Sequence, residues 1–138
     1  MDGPGIFALG PVSGPDFQIG IDGEQIGAPA VGLDGMAGVT ISARLAYGSG
    51  GSSLVVRIRT SIDQGVTWID VCRFDFTTAS ALQAANLTGE ASVAPFAVVP
   101  LGAPGIINGI LGDRLMADVV STGSYAGSTV LSVRIAVR

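Results

Sequence analysis

Val39-Thr40-Ile41-Ser42-Ala43-Arg44-Leu45-Ala46-Tyr47 puts an apolar residue at every odd position and a small or polar one at nearly every even position. Successive side chains of an extended strand point to opposite sides, so this period of two predicts a strand with one face in a core. The pattern recurs downstream. Leu54, Val56 and Ile58 alternate with Arg57 and Arg59 in a second strand, and residues 67–76 form a third. A turn at Asp63-Gln64-Gly65 joins these two as a hairpin. Near the end, Leu131, Val133, Ile135 and Val137 alternate with Ser132, Arg134, Ala136 and Arg138. Residues 114–121 read as a strand before it, with the glycine-bounded segment 122–127 as the hairpin loop between the two.

Two stretches are less regular. Residues 77–91 are the one helix candidate, since Ala, Leu and Gln favour helix and Ser80 offers a cap. Residues 92–99 resemble a strand broken by Pro95, which suits a sheet edge. Six to eight short strands with turns every ten residues or so predict an all-β fold. The expected architecture is an antiparallel, jelly-roll-like β-sandwich. No period repeats, which excludes a propeller or solenoid.

Upstream of the first clear strand the pattern changes. Residues 1–38 carry Pro4, Pro11, Pro15 and Pro29 and a glycine every few positions. They read as an extended arm, ordered against its own core or a neighbouring subunit, with residues 39–138 as the β-sandwich domain. Ile6, Phe7, Phe17 and Ile19 are its candidate contacts with a partner, with Phe7 and Phe17 as anchors by analogy with aromatic interface hot spots.

Composition narrows the function. The chain has 138 residues, about one domain, and is 48% hydrophobic but only 13% charged. Ordinary proteins are ~25% charged, so there is little polar surface to cover a free monomer. A larger assembly is expected. The net charge is −4 and the seven basic residues are all arginine. They form no basic patch, so nucleic acid is not an expected partner. No apolar run approaches the ~20 residues of a membrane helix. The start, Met1-Asp2-Gly3-Pro4-Gly5, has no basic n-region or long apolar core, so a secretory signal is not expected.

Catalytic chemistry finds little to work with. Histidine is absent and Cys72 is the sole cysteine. That removes the commonest general base, any disulfide within the chain and any cysteine-rich metal site. Cys72 alternates with Phe74 and Phe76 and reads as a core residue. Asp70 and Asp75 differ by an odd count, so a regular strand turns them to opposite faces, unlike a glycosidase pair. Ion pairs with Arg73 are the better reading. Asp16, Asp22 and Glu24 lack calcium-loop spacing. Asn86-Leu87-Thr88 matches a glycosylation triplet, which arises often by chance. The expectation is a protein that is not an enzyme and needs no cofactor or metal.

The sharpest motif is Ser61-Ile62-Asp63-Gln64-Gly65-Val66-Thr67-Trp68. It resembles the Asp-box of sialidase-type propellers, a turn-building element away from their active sites. Asp63 can accept hydrogen bonds from the turn backbone and Gly65 can supply a positive φ. Ser61, Asp63, Gly65, Thr67 and Trp68 are therefore expected to build a hairpin rather than perform chemistry.

Residues 54–138 also resemble small virion proteins of tailed bacteriophages and gene-transfer-agent particles. The likeness lies in the run from Thr60 to Val71, in Arg73-Phe74-Asp75-Phe76-Thr77-Thr78, and in Leu111-Gly112-Asp113-Arg114-Leu115. It continues through Ser121-Thr122-Gly123-Ser124-Tyr125-Ala126-Gly127-Ser128-Thr129-Val130-Leu131-Ser132-Val133-Arg134-Ile135. The resemblance implies a capsid decoration or cement protein, made in the host cytoplasm and carried on the capsid surface. It implies the major capsid protein or other virion proteins as partners, and a homo-oligomer. Alternatives are a neck, tail or baseplate role, or a carbohydrate-binding module stacking sugars on Trp68, Tyr47 or Tyr125.

Overall fold

The computed structural model describes residues 5–11, 14–20 and 22–138. Among these the chain forms strands and no helix. In chain order they are β1 (Gly5–Ala8), β2 (Asp16–Gln18), β3 (Gly23–Ile26), β4 (Gly38–Ala46), β5 (Ser49–Gly50) and β6 (Ser53–Ser61). There follow β7 (Ile69–Phe76), β8 (Ala81–Thr88), β9 (Gly105–Ile106), β10 (Arg114–Thr122), β11 (Tyr125–Ala126) and β12 (Val130–Val137).

They build two five-stranded antiparallel sheets. Sheet A runs β1-β12-β4-β8, with β2 beside β12 on the edge it shares with β1. Sheet B runs β3-β10-β6-β7-β9. The alternating residues do what their spacing predicts. Val39, Ile41, Ala43 and Leu45 of β4 and Leu131, Val133 and Ile135 of β12 enter one core with Leu54, Val56 and Ile58 of β6 and Leu115, Ala117 and Val119 of β10. Each large side chain so buried contributes roughly 1.5–3 kcal/mol.

The N-terminal segment does not stand apart as an arm. β1 and β2 pair with β12, while β3 pairs with β10 in the other sheet. Leu9, Phe17, Ile19 and Leu33 lie in the shared core. Phe17 and Ile19 are thus corrected from partner anchors to core residues, and Phe7 is partly buried against the same core. Ile6 alone of the four stays on the surface, 80% exposed. Two glycines of this segment, Gly10 and Gly27, serve close packing. A Cβ at Gly27 would collide with the Leu9 carbonyl oxygen, and Ala28 N–H donates to Gly10 O at 2.8 Å beside it.

Three further expectations are corrected. The helix candidate contains β8, which pairs with β4 along its whole length. A two-turn helix is too short to hold itself, whereas the open edge of β4 satisfies the backbone of β8 at once. Residues 92–99 form no strand; prolines 95 and 100 withhold donors there. Residues 122–127 do not join a hairpin, because β10 lies in sheet B and β12 in sheet A. The chain crosses between sheets there, as it does after β4, and β5 pairs with β11 across the two crossings. Tyr125 plugs that end: it is 2% exposed, its hydroxyl donates to Thr77 O at 3.0 Å, and Tyr47 meets it edge-on at 6.1 Å.

Candidate functional site

The outer face of sheet B carries four of the six ion pairs among the described residues. On β6 the inward set leaves Val55, Arg57 and Arg59 pointing outward. β10 adds Met116, Asp118 and Val120 to the same side, because Asp118 is registered with Arg57 and Met116 with Arg59. The β6–β7 ladder slips by one residue between Ile58 and Arg59, so Val71 has no partner and Asp70 faces Arg59. This bulge overturns the parity argument. Asp70 joins Arg73 and Asp75 on the outer face.

An ionic lattice follows. Arg59 Nε donates to Asp70 Oδ1 at 2.8 Å, and Arg59 Nη2 lies 2.9 Å from Asp118 Oδ2. Arg73 holds Asp75 with two bonds, 2.8 and 3.2 Å. Asp118 is fully buried. Its oxygens have no well-aligned donor, so the Arg59 contact is ionic rather than a good hydrogen bond. Burial pushes the Asp118 carboxyl up to about 6; Glu24, the diagonal neighbour on β3, pushes the same way and Arg59 and Arg57 oppose it.

A strap of chain lies over this lattice. Leu101 N–H donates to Asp70 Oδ2 at 2.9 Å, and Leu101 O accepts from Arg73 Nη1 at 2.9 Å. Upstream of that latch, residues 91–100 are exposed throughout and carry no charge. Val93, Phe96, Val98 and Val99 are 41–64% exposed. Beside the latch, Val98, Val99 and Pro100 close an open pocket of about 210 Å³ with Arg59, Trp68 and Asp70.

Ser61, Asp63, Gly65 and Thr67 come together at the next turn. Ser61 Oγ donates to Asp63 Oδ1 at 2.9 Å and accepts from Gly65 N–H at 2.7 Å. Thr67 N–H donates to Asp63 Oδ1 at 2.8 Å, and these bonds hold the Asp63 carboxyl below its ordinary value. Gly65 has φ +93°, which a Cβ would strain. Trp68 does not enter the core; it is half-buried and lines the pocket.

The remaining candidates separate. Asp16 binds Arg134 at 3.0 Å on sheet A, whereas Glu24 sits on sheet B; residue 22 lies between these strands. Among the described residues no three His, Cys, Asp or Glu side chains gather to hold a metal ion. Cys72 is in the core, where burial raises its thiol to about 12. Tyr125 is too buried to stack a ligand. Sequence reasoning did not find the strap or the buried Asp118. The absence of any charge from residue 91 to residue 112 was the available signal for the strap. Among the described residues no helix is long and apolar enough to cross a membrane. No protein-family model matches the chain, and no curated protein is significantly similar to it.

Proposed function

We propose that this chain is a non-enzymatic virion structural protein, a capsid decoration protein whose two sheets make a jelly-roll-like β-sandwich. The observation that carries the binding role is the strap. Ten consecutive exposed residues without charge, with four large apolar side chains among them, are poorly suited to permanent contact with water. Exposed apolar side chains gathered in one uncharged segment supply the material of an association surface. The Leu101 latch holds one end of the strap against rigid sheet, which lowers the ordering cost of binding. The partners on this reading are the major capsid protein and neighbouring virion proteins, and the location is the outer shell. A neck or tail position would use the same surface at a lower copy number.

The test is co-sedimentation of the purified chain with assembled shells of the particle that carries it. The chain should bind and raise the shell's thermal stability, and Phe96→Asp with Val98→Asp should abolish both. Equal binding by the doubly substituted chain would remove the strap from the reading; no binding by either would remove the role. One observation favours a second reading. Trp68 beside Arg59 and Asp70 in an open pocket suits a sugar ring, with an aromatic face and charged hydrogen-bonding groups. Glycan-array binding lost in Trp68→Ala would establish that alternative.

A further inference from the structure

We propose that β8 is a self-association edge, pairing antiparallel with β8 of a second copy about a two-fold axis through Ala84. The backbone sets the geometry. Gly89 N–H donates to Ala37 O at 2.8 Å, on the side of β4. Thr88 points the other way: its N–H donates to Asn108 Oδ1 at 3.1 Å and its carbonyl accepts from Gly109 N–H at 2.8 Å. Antiparallel ladders alternate, so Leu82, Ala84 and Asn86 also aim their N–H and C=O groups away from β4. Among the described residues nothing bonds these three.

The edge is also undefended. Edge strands ordinarily carry charges, prolines or bulges, or stay very short, because open ladders recruit other strands. Here β1, β2 and β3 have four, three and four residues, β9 has two, and β2 and β3 bear Asp16 and Glu24. β8 has eight residues with no charge and no proline, and its register with β4 is unbroken. Space lies beside it. A groove of about 300 Å³ separates Gln83, Ala84 and Ala85 from Pro104, Gly105 and Ile106. Ile106 is 42% exposed on its far wall, where an added strand would cover it.

The uncharged, proline-free edge is complementary to itself, and we take a second copy as the occupant. The unbonded positions are centred on Ala84, with the fourth outward residue, Thr88, already used within the chain. A two-fold axis at Ala84 pairs Ala84 with its own counterpart and Leu82 with Asn86 of the second copy. Every free donor and acceptor on both edges is then satisfied. No charges of like sign meet across the strand pair, and the smallest side chain sits at the axis. Identical patches on both copies are what a two-fold interface requires. This inference does not rest on the virion role.

Sedimentation velocity of the full chain over a wide concentration range, with amide exchange at both ends of it, tests the proposal. The chain should dimerise, and the amides of Leu82, Ala84 and Asn86 should exchange more slowly in the dimer. Ala84→Pro removes an N–H that no internal bond uses; it should weaken dimerisation by about tenfold or more with an unchanged near-ultraviolet spectrum. A monomer at all concentrations overturns the proposal, as does a folded A84P chain that dimerises like the parent. If A84P does not fold, exchange in the parent decides. A dimer in which those three amides are unprotected places the interface elsewhere.

Discussion

Arg59 and Asp118 approach to 2.9 Å at the centre of sheet B, a guanidinium still touching solvent against a carboxylate with none. The same guanidinium binds Asp70 at 2.8 Å, so one side chain joins charges from three strands. Arg59→Ala leaves both acids without that cation and Asp118 buried. A loss of about 3–5 kcal/mol is expected, as for other broken buried pairs. Adding Asp118→Leu should recover part of it, because the orphaned charge goes too. Urea denaturation of the two single variants and the double variant measures the coupling.

Asp118 also sets a pH dependence. Its carboxyl is raised in the fold from 3.8 to about 6, so between those values the folded state holds a proton that the unfolded state has released. Stability therefore falls as pH rises from about 4 to 6 and levels above that. Asp16 and Asp63 are shifted down, Asp16 chiefly by Ser132 and Asp63 chiefly by the Thr67 N–H. Their contribution is lost as pH falls below about 4. Midpoints of chemical denaturation should peak near pH 4–5 in the parent, and Asp118→Asn should flatten the upper slope.

Gly65→Ala should cost ~1–2 kcal/mol, the penalty of a left-handed conformation for an L-residue. The added Cβ would also stand 3.3 Å from Arg114 Nη1. Thermal unfolding monitored at Trp68, next to this turn, reads the loss. An unchanged midpoint would mean the hairpin relaxes freely.

Phe17 distinguishes a core residue from a partner anchor. It is fully buried in this single chain. Phe17→Ala should destabilise the isolated protein by about 3–5 kcal/mol, with no partner present. Val99→Asp, at an exposed strap position, should shift stability by less than ~0.5 kcal/mol. Denaturation of both variants side by side makes the contrast.

The sequence was legible where one face of a strand met the core and the other met water. Val39 to Leu45, Leu54 to Ile58 and Leu131 to Val137 alternate because each lies within a sheet that has a wet side. The Asp63 turn was legible because its bonds are local. Residues 81–88 were not, since their strand state comes from β4, about forty positions away. Asp70 was misplaced by one unpaired residue, Val71, which alternation cannot reveal. Phe17 and Ile19 looked unpartnered because their neighbours, Leu131 and Thr129, come more than a hundred residues later. The charge lattice was visible as residues but not as a cluster, because it depends on the order of β10, β6 and β7.

The place of β12 has a consequence for how the molecule is made. It lies between β4 and the pair β1 and β2, so Val39 meets Val137 and Phe17 meets Leu131. Sheet A therefore cannot be completed until β12 has left the ribosome, although β4 and β8 can pair before it. Such long loop closures fold on the millisecond-to-second scale. Until β12 arrives, β4 lacks its neighbour on one side, and its apolar row is exposed in the way that makes incomplete sheets prone to aggregate.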